Sequence, residues 1–458
     1  MITTIAIILI VGIAIAIFYY ISSQHSDNGR SEGYSSTSRY STANFEDEDD
    51  NDDDDYASTY KFLTKSLPGE AYDNYIGWGN NLCMTYKSLD KDVSFFFKGI
   101  DKYKEAILLK PANNKAYIAW ALALSKYAPL VEGGKNIYIN EALEKLEKAL
   151  ELNPGAEVYN AWGDIQVTIA FEKEEWPDRI AGLHVAIEKY KTAIEVDPRN
   201  AEAYAGWGRM LFYMASYKVD AKLFEESYAK YSKAHELDDK DSNILSDWAN
   251  NTSKFASLTE NEALYEKSIK LYADVYKIDP ENSYQIEQWG RTLIYLADLK
   301  KDKDLYAQAA DVYKLYMDVH KAEFDSEDFF GYIMLGFLLL RKSQCEGCLK
   351  ERAPEIEELI LKGVKEYPAE TAKEMSRLYF LLKQEDMAFV WLEEALKYED
   401  QGNDDRNYIV YNGDFGDIRT NLRLKELLDK YRPLADGETD FDEDENDSLE
   451  VIEEELRA

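Results

Sequence analysis

A chain of 458 residues, 45% hydrophobic and 13% aromatic, can bury a large core and has the length for two or three domains. Its 88 acidic side chains outnumber 53 lysines and arginines, and the resulting net charge of −35 argues against direct binding to nucleic acid, whose phosphates attract the opposite sign. A basic or neutral protein partner fits better.

Residues 1–24, MITTIAIILIVGIAIAIFYYISSQ, begin with about 20 apolar or small uncharged residues, enough for a helix to cross a bilayer. They read as a transmembrane anchor. A cleaved signal peptide would want a basic start and a small-residue cleavage site after a shorter apolar core, and neither is evident. Tyr19 and Tyr20 stand where amphipathic rings favour the membrane interface. Arg30 and Arg39 follow the span and no basic residue precedes it, so the positive-inside rule places the remainder in the cytoplasm. The alternative is the periplasmic or extracellular side. Residues 25–60, with EDEDDNDDDD at 46–55, are acidic and poor in apolar side chains, the composition of a self-repelling disordered linker.

Over residues 61–403 a helical pattern recurs. Trp78 with Gly79, Trp120 with Ala121, Trp162 with Gly163, Trp207 with Gly208, Trp248 with Ala249 and Trp289 with Gly290 are separated by 42, 42, 45, 41 and 41 residues. A seventh copy carries Leu335 and Gly336, and an eighth centres on Leu378. Each copy continues into a second amphipathic stretch that ends at a stop containing Pro111, Pro154, Pro198 or Pro280, or at an Asp-Asp equivalent. The expected unit is helix, loop, helix, short turn, and a period of this size signals an array of such units.

In this pattern the chain resembles the tetratricopeptide repeat (TPR) family. Tyr204, Trp207, Gly208 and Leu211 match its first helix; Ala186, Tyr190, Ala193 and Pro198 match its second. The resemblance implies an all-α TPR-type helical-hairpin solenoid of about 7–8 repeats, with nearest-neighbour contacts and a concave groove. Tryptophan replaces the family's usual leucine before glycine. The extra length over the family's repeat of about 34 residues is expected in first-to-second helix loops such as SYKVDAKLFEE. The repeated tryptophans are expected in the core, with the small residue after each allowing close helix approach.

Cys345 and Cys348 form a lone C-x-x-C, without the second pair that a four-thiolate zinc site needs, and are expected to be a local loop feature. Residues 404–433 resemble the segment that closes bacterial TPR arrays, with Phe415, Ile418, Leu422 and Leu427 as the apolar side, and 434–458 form an acidic tail. The four histidines are scattered, and no Walker loop, G-x-G-x-x-G, Ser-centred G-x-S-x-G or H-E-x-x-H occurs, so no enzyme, cofactor or metal site is expected.

The position two after each tryptophan maps to the groove: Asn80, Leu122, Asp164, Arg209, Asn250 and Arg291, with Lys126, Tyr213 and Lys254 on the same side. Amide and ammonium donors there resemble the peptide-carboxylate clamps of some TPR domains. The expectation is a non-enzymatic, membrane-tethered scaffold that binds protein or peptide partners in the groove. The alternatives are an exported envelope protein assisting secretion or surface assembly, and a regulator of a membrane enzyme.

Overall fold

The computed structural model describes residues 71–85, 93–130, 135–324, 328–397 and 421–430. The expected anchor, linker and acidic tail lie outside the described residues, and among the described residues no helix is long and apolar enough to cross a membrane.

The described residues form seventeen α-helices and no strand. In chain order these are α1 (Ala71–Thr85), α2 (Val93–Leu109), α3 (Lys115–Tyr127), α4 (Lys135–Leu152), α5 (Ala156–Phe171), α6 (Trp176–Val196), α7 (Ala201–Lys218), α8 (Ala221–Leu237), α9 (Ser242–Thr259), α10 (Glu262–Ile278) and α11 (Ser283–Lys300). Then come α12 (Lys303–Phe324), α13 (Phe329–Glu346), α14 (Leu349–Leu361), α15 (Pro368–Leu381), α16 (Glu385–Lys397) and α17 (Leu422–Lys430). The tryptophan-bearing helices α1, α3, α5, α7 and α9 are the first helices of five hairpins, and α11 carries the sixth tryptophan, Trp289.

Two kinds of turn make the hairpins, and the sequence writes both. Within the α7/α8 and α9/α10 hairpins, one left-handed residue and one Asx cap suffice. Val219 (φ 50°) ends α7 and Asp220 accepts from the amides of Lys222 and Leu223; Glu260 (φ 49°) ends α9 and Asn261 caps α10. Between hairpins, Asp197-Pro198-Arg199-Asn200 stops α6 and starts α7: the Arg199 amide donates to Asp197 Oδ1, and Asn200 accepts from Ala203 N. Asp241 caps α9 in the same manner, and Gln285 N donates to Asn282 at the head of α11. Such caps satisfy amides that the first turn leaves without partners.

The long loop expected over SYKVDAKLFEE is therefore absent, because its residues extend α7 to 18 residues and α8 to 17 around a two-residue turn. Here the extra repeat length is helix.

The chain divides into two compact units that part between Leu299 and Lys300. In the first, α3, α5, α7 and α9 touch one another in sequence, while each second helix packs on its own first helix and on the next one. First helices thus make one continuous layer. Buried second-helix tyrosines fill the space between: Tyr103, Tyr190 and Tyr231 are each 1% exposed. A Cβ on Gly163 would lie 2.6 Å from the Tyr190 ring, and one on Gly206 of the next first helix also 2.6 Å, so this ring sits between two glycine backbones. Gly79 faces Tyr103 and Gly208 faces Tyr231 in the same way, whereas Ala121 shares its cluster with Leu146.

The tryptophans themselves are less buried than expected. Trp248 is 7% exposed, but Trp78, Trp120, Trp162, Trp207 and Trp289 are half-buried. Trp120, Trp162 and Trp207 pack against the core, and lysines lie over their rings. Lys145 Nζ lies 4.3 Å from the Trp120 ring, Lys189 4.2 Å from Trp162, and Lys230 3.7 Å from Trp207, with Lys104 and Lys191 of the preceding helices reaching Trp120 and Trp207 at 5.8 and 5.2 Å. Cation–π attraction and stem packing together close the hydrophobic edge. The indole N–H groups of Trp120, Trp248 and Trp289 find no acceptor, which fits rings placed for packing rather than polar recognition.

In the second unit α13 packs on α14 and α15 on α16. Gly336 admits Ile360, and Trp391 is fully buried beside Leu378 and Met375. α17 lays Leu424 and Leu427 on Phe389, Leu392 and Leu396, with ion pairs Arg423–Asp386 (3.0 Å) and Lys430–Glu393 (2.5 Å) beside them. Leu422, expected on the apolar side, is 69% exposed and Leu424 takes that role; Phe415 and Ile418 lie outside the described residues.

Candidate peptide-binding face

The layer of first helices in the first unit carries all the predicted groove positions. Lys126 and Lys254 are exposed; Asn80, Leu122, Asp164, Arg209, Tyr213, Asn250 and Arg291 are half-buried.

Most of these polar groups are already tied to the scaffold. Tyr103 donates its hydroxyl to Asn80 Oδ1 at 2.8 Å, Tyr190 to Asp164 Oδ1 at 2.7 Å and Tyr272 to Asn250 Oδ1 at 2.5 Å. The buried tyrosine of the second helix thus reaches through the hairpin and holds the residue two after the tryptophan. In the α7/α8 hairpin the residue two after the tryptophan is Arg209, and Tyr231 instead accepts a hydrogen bond from Asn251 of the next first helix, α9, at 2.8 Å. Burial raises the phenols of Tyr103, Tyr190, Tyr231 and Tyr272 above their ordinary value.

Arg209 joins three first helices. Its Nη1 donates to Asp247 at 3.0 Å and its Nη2 to Asp164 at 3.5 Å, so that α5, α7 and α9 are linked by one guanidinium between two carboxylates. All three side chains are 35–44% exposed, which limits the stabilisation to about 1 kcal/mol or less. Arg291 folds back on Glu287 of its own helix at 2.7 Å.

Tyr284 and Tyr295 of α11 are 46% and 47% exposed. Lys254, though exposed, has its ammonium pKa lowered by desolvation, against the opposing pull of Asp247. Burial raises the Tyr213 and Tyr284 phenols. The face therefore offers amide donors, phenol rings and charges of both signs on a rigid layer.

The repeat period singles out these positions in the sequence but not the tyrosine hydroxyls that hold three of them. The signal was present: Lys102-Tyr103-Lys104 and Lys189-Tyr190-Lys191 set an inward ring between outward lysines, opposite a polar residue two after the tryptophan.

Elsewhere, Cys345 is exposed and Cys348 half-buried, on either side of the left-handed Gly347 that ends α13. Among the described residues no group of three or more His, Cys, Asp or Glu could hold a metal ion.

No family model matches the chain, and no curated protein matches it. Solved structures do align with it. The TPR protein TTC0263 of Thermus thermophilus is 16% identical, with 49% of this chain and 99% of that chain covered and a TM-score of 0.37. Yeast Tom70 is 16% identical, with 81% and 72% covered and a TM-score of 0.40. YrrB, described as a TPR protein with an unusual peptide-binding site, is 18% identical, with 48% and 97% covered and a TM-score of 0.28. No residue role transfers at these scores.

Proposed function

We propose that this chain is a non-enzymatic scaffold whose first-helix layer binds an extended segment of a partner protein, and that residues 1–24 tether it to a membrane. The observation that carries the reading is the layer itself: α1, α3, α5, α7 and α9 present adjoining faces on which Lys126 and Lys254 are exposed and Tyr213 half-buried, while second-helix tyrosines hold Asn80, Asp164 and Asn250. Binding residues held this rigidly lose little entropy when a peptide docks.

Tethering raises the local concentration of the face at the bilayer without any new contact. The positive-inside rule puts the array in the cytoplasm; the exported arrangement, with a role in envelope assembly, is the second reading and differs in the side occupied. Crosslinking in intact cells, with the array folded, is expected to recover a discrete protein partner, and recovery of none would overturn the scaffold reading. Protease added outside intact cells is expected to spare the tail after Asp436 until the cells are permeabilised. Digestion before permeabilisation would favour the exported arrangement.

A further inference from the structure

Lysines are unevenly spread along this acidic chain. Residues 93–140 hold seven of them against Asp101, Glu105 and Glu132, although the whole chain has a net charge of −35. Within that stretch no acidic residue occurs in 93–100 or in 115–131. The first of these runs opens α2; the second is α3 with the 3₁₀ turn Ala128–Leu130 that follows it.

The two runs meet in space at the tips of the first two hairpins. Phe96 of α2 stacks on Tyr127 of α3 with ring centroids 3.8 Å apart, Phe97 meets the same ring edge-on at 6.3 Å, and Tyr138 of α4 meets it at 5.0 Å. Cys83 Sγ donates to Phe96 O, which sets the last turn of α1 beside the first turn of α2. The turn Ala128–Leu130 packs on α4. Four helices thus gather around the buried Tyr127 ring at one edge.

The outside of that edge is apolar. Met84, Phe97, Leu130 and Ile137 are 43%, 48%, 46% and 68% exposed, and the last three lie within three residues of Phe96, Tyr127 and Tyr138. Other tips differ: the α5/α6 tip reads Glu172-Lys173-Glu174-Glu175, and the α9/α10 tip Glu260-Asn261-Glu262. A cluster of exposed apolar side chains marks an interaction surface. Aromatic and aliphatic side chains beside lysines, with no acid among them, suit the headgroup layer of an anionic bilayer, where apolar groups sink in and ammonium groups meet lipid phosphates.

Resting on the reading that residues 1–24 tether the chain, we infer that the tips of the first two hairpins lie on the same bilayer, with Phe97, Leu130 and Ile137 in the headgroup layer and Lys98 and Lys126 on anionic lipid. Residues 25–70 supply ample chain for this, since an extended residue spans up to about 3.5 Å. This second contact gives the array one orientation at the membrane.

The test uses the full chain inserted in phosphatidylcholine vesicles with or without phosphatidylserine. Cys345 and Cys348 are replaced by serine, and an environment-sensitive fluorophore is attached at Ile137→Cys or, as a control, at Val185→Cys on α6, which is also exposed. With phosphatidylserine present, nitroxide-labelled lipids are expected to quench the probe at 137 about threefold more than the probe at 185. Phe97→Ser with Leu130→Ser is expected to bring the two level while circular dichroism stays unchanged. Flotation of that double variant with the vesicles reports the tether separately. If it floats and the parent chain is quenched equally at 137 and 185, the inference is overturned and the tether spared; if it does not float, both fall. Stronger quenching at 137 that is the same without phosphatidylserine would overturn the anionic-lipid assignment. In cells, a photo-crosslinking residue at Phe97 is expected to give lipid adducts, and a discrete protein adduct in their place would assign the patch to a protein partner and overturn the inference.

Discussion

Tyr190 occupies space that only glycine leaves, and that single ring explains why Trp-Gly recurs along the chain. A methyl at Gly163 would meet Cε1, Cζ and Cδ1 of the ring at 2.6, 2.8 and 2.9 Å. Gly163→Ala is therefore expected to destabilise the fold by about 1–3 kcal/mol through overpacking, read from the shift of the urea midpoint; an unchanged midpoint would mean that the ring has room to move. Tyr190→Phe keeps the packing and removes the bond to Asp164, and should cost about 0.5–1.5 kcal/mol. Cys83 shows burial acting on a thiol: desolvation pushes its pKa up to about 12, and its Sγ donates to Phe96 O. In the folded chain at mildly alkaline pH, iodoacetamide should modify the exposed Cys345 and leave Cys83 unmodified, as mass spectrometry would show.

At the scale of the element, two-residue turns carry the α7/α8 and α9/α10 hairpins, and one of them is strained. Val219 has φ 50°, a left-handed conformation that costs a β-branched residue about 1–2 kcal/mol. Its side chain is 40% exposed, so little core is lost when it is replaced. Val219→Asn should stabilise the chain by about 1 kcal/mol in a thermal or urea melt, whereas Asp241→Ala, which removes the α9 cap, should cost about 1 kcal/mol. The helices and their stops were legible because they rest on local chemistry: Asp-Pro and Asx residues act through backbone amides one to three positions away. The two-residue turn was not, because nothing in valine or glutamate announces a left-handed conformation that the following cap and the hairpin packing impose. The equivalence of the positions two after each tryptophan followed from the repeat period. Their ties to Tyr103, Tyr190 and Tyr272 did not, since those bonds join residues 22 to 26 apart across a hairpin.

At the scale of the whole molecule, the buried tyrosines give the repeats a common response to alkali. Burial raises the phenols of Tyr103, Tyr190, Tyr231 and Tyr272 in the folded state, while unfolded chains ionise at about pH 10. A raised folded pKa means that the unfolded state releases protons first, so the stability is fully present below about pH 10 and is lost as pH rises above it. Loss of helical circular dichroism should therefore coincide with the main rise of tyrosinate absorbance; a rise that leaves the helices intact would show the rings to be open to solvent. The functional claim, that the first-helix layer holds a partner's segment, is tested most directly by site-specific photo-crosslinking in cells, comparing Tyr213 on that layer with Val185, which is exposed on the second helix α6. The account predicts a discrete protein adduct from position 213 that is missing from position 185. The same adducts from both positions, or none from 213, would contradict it.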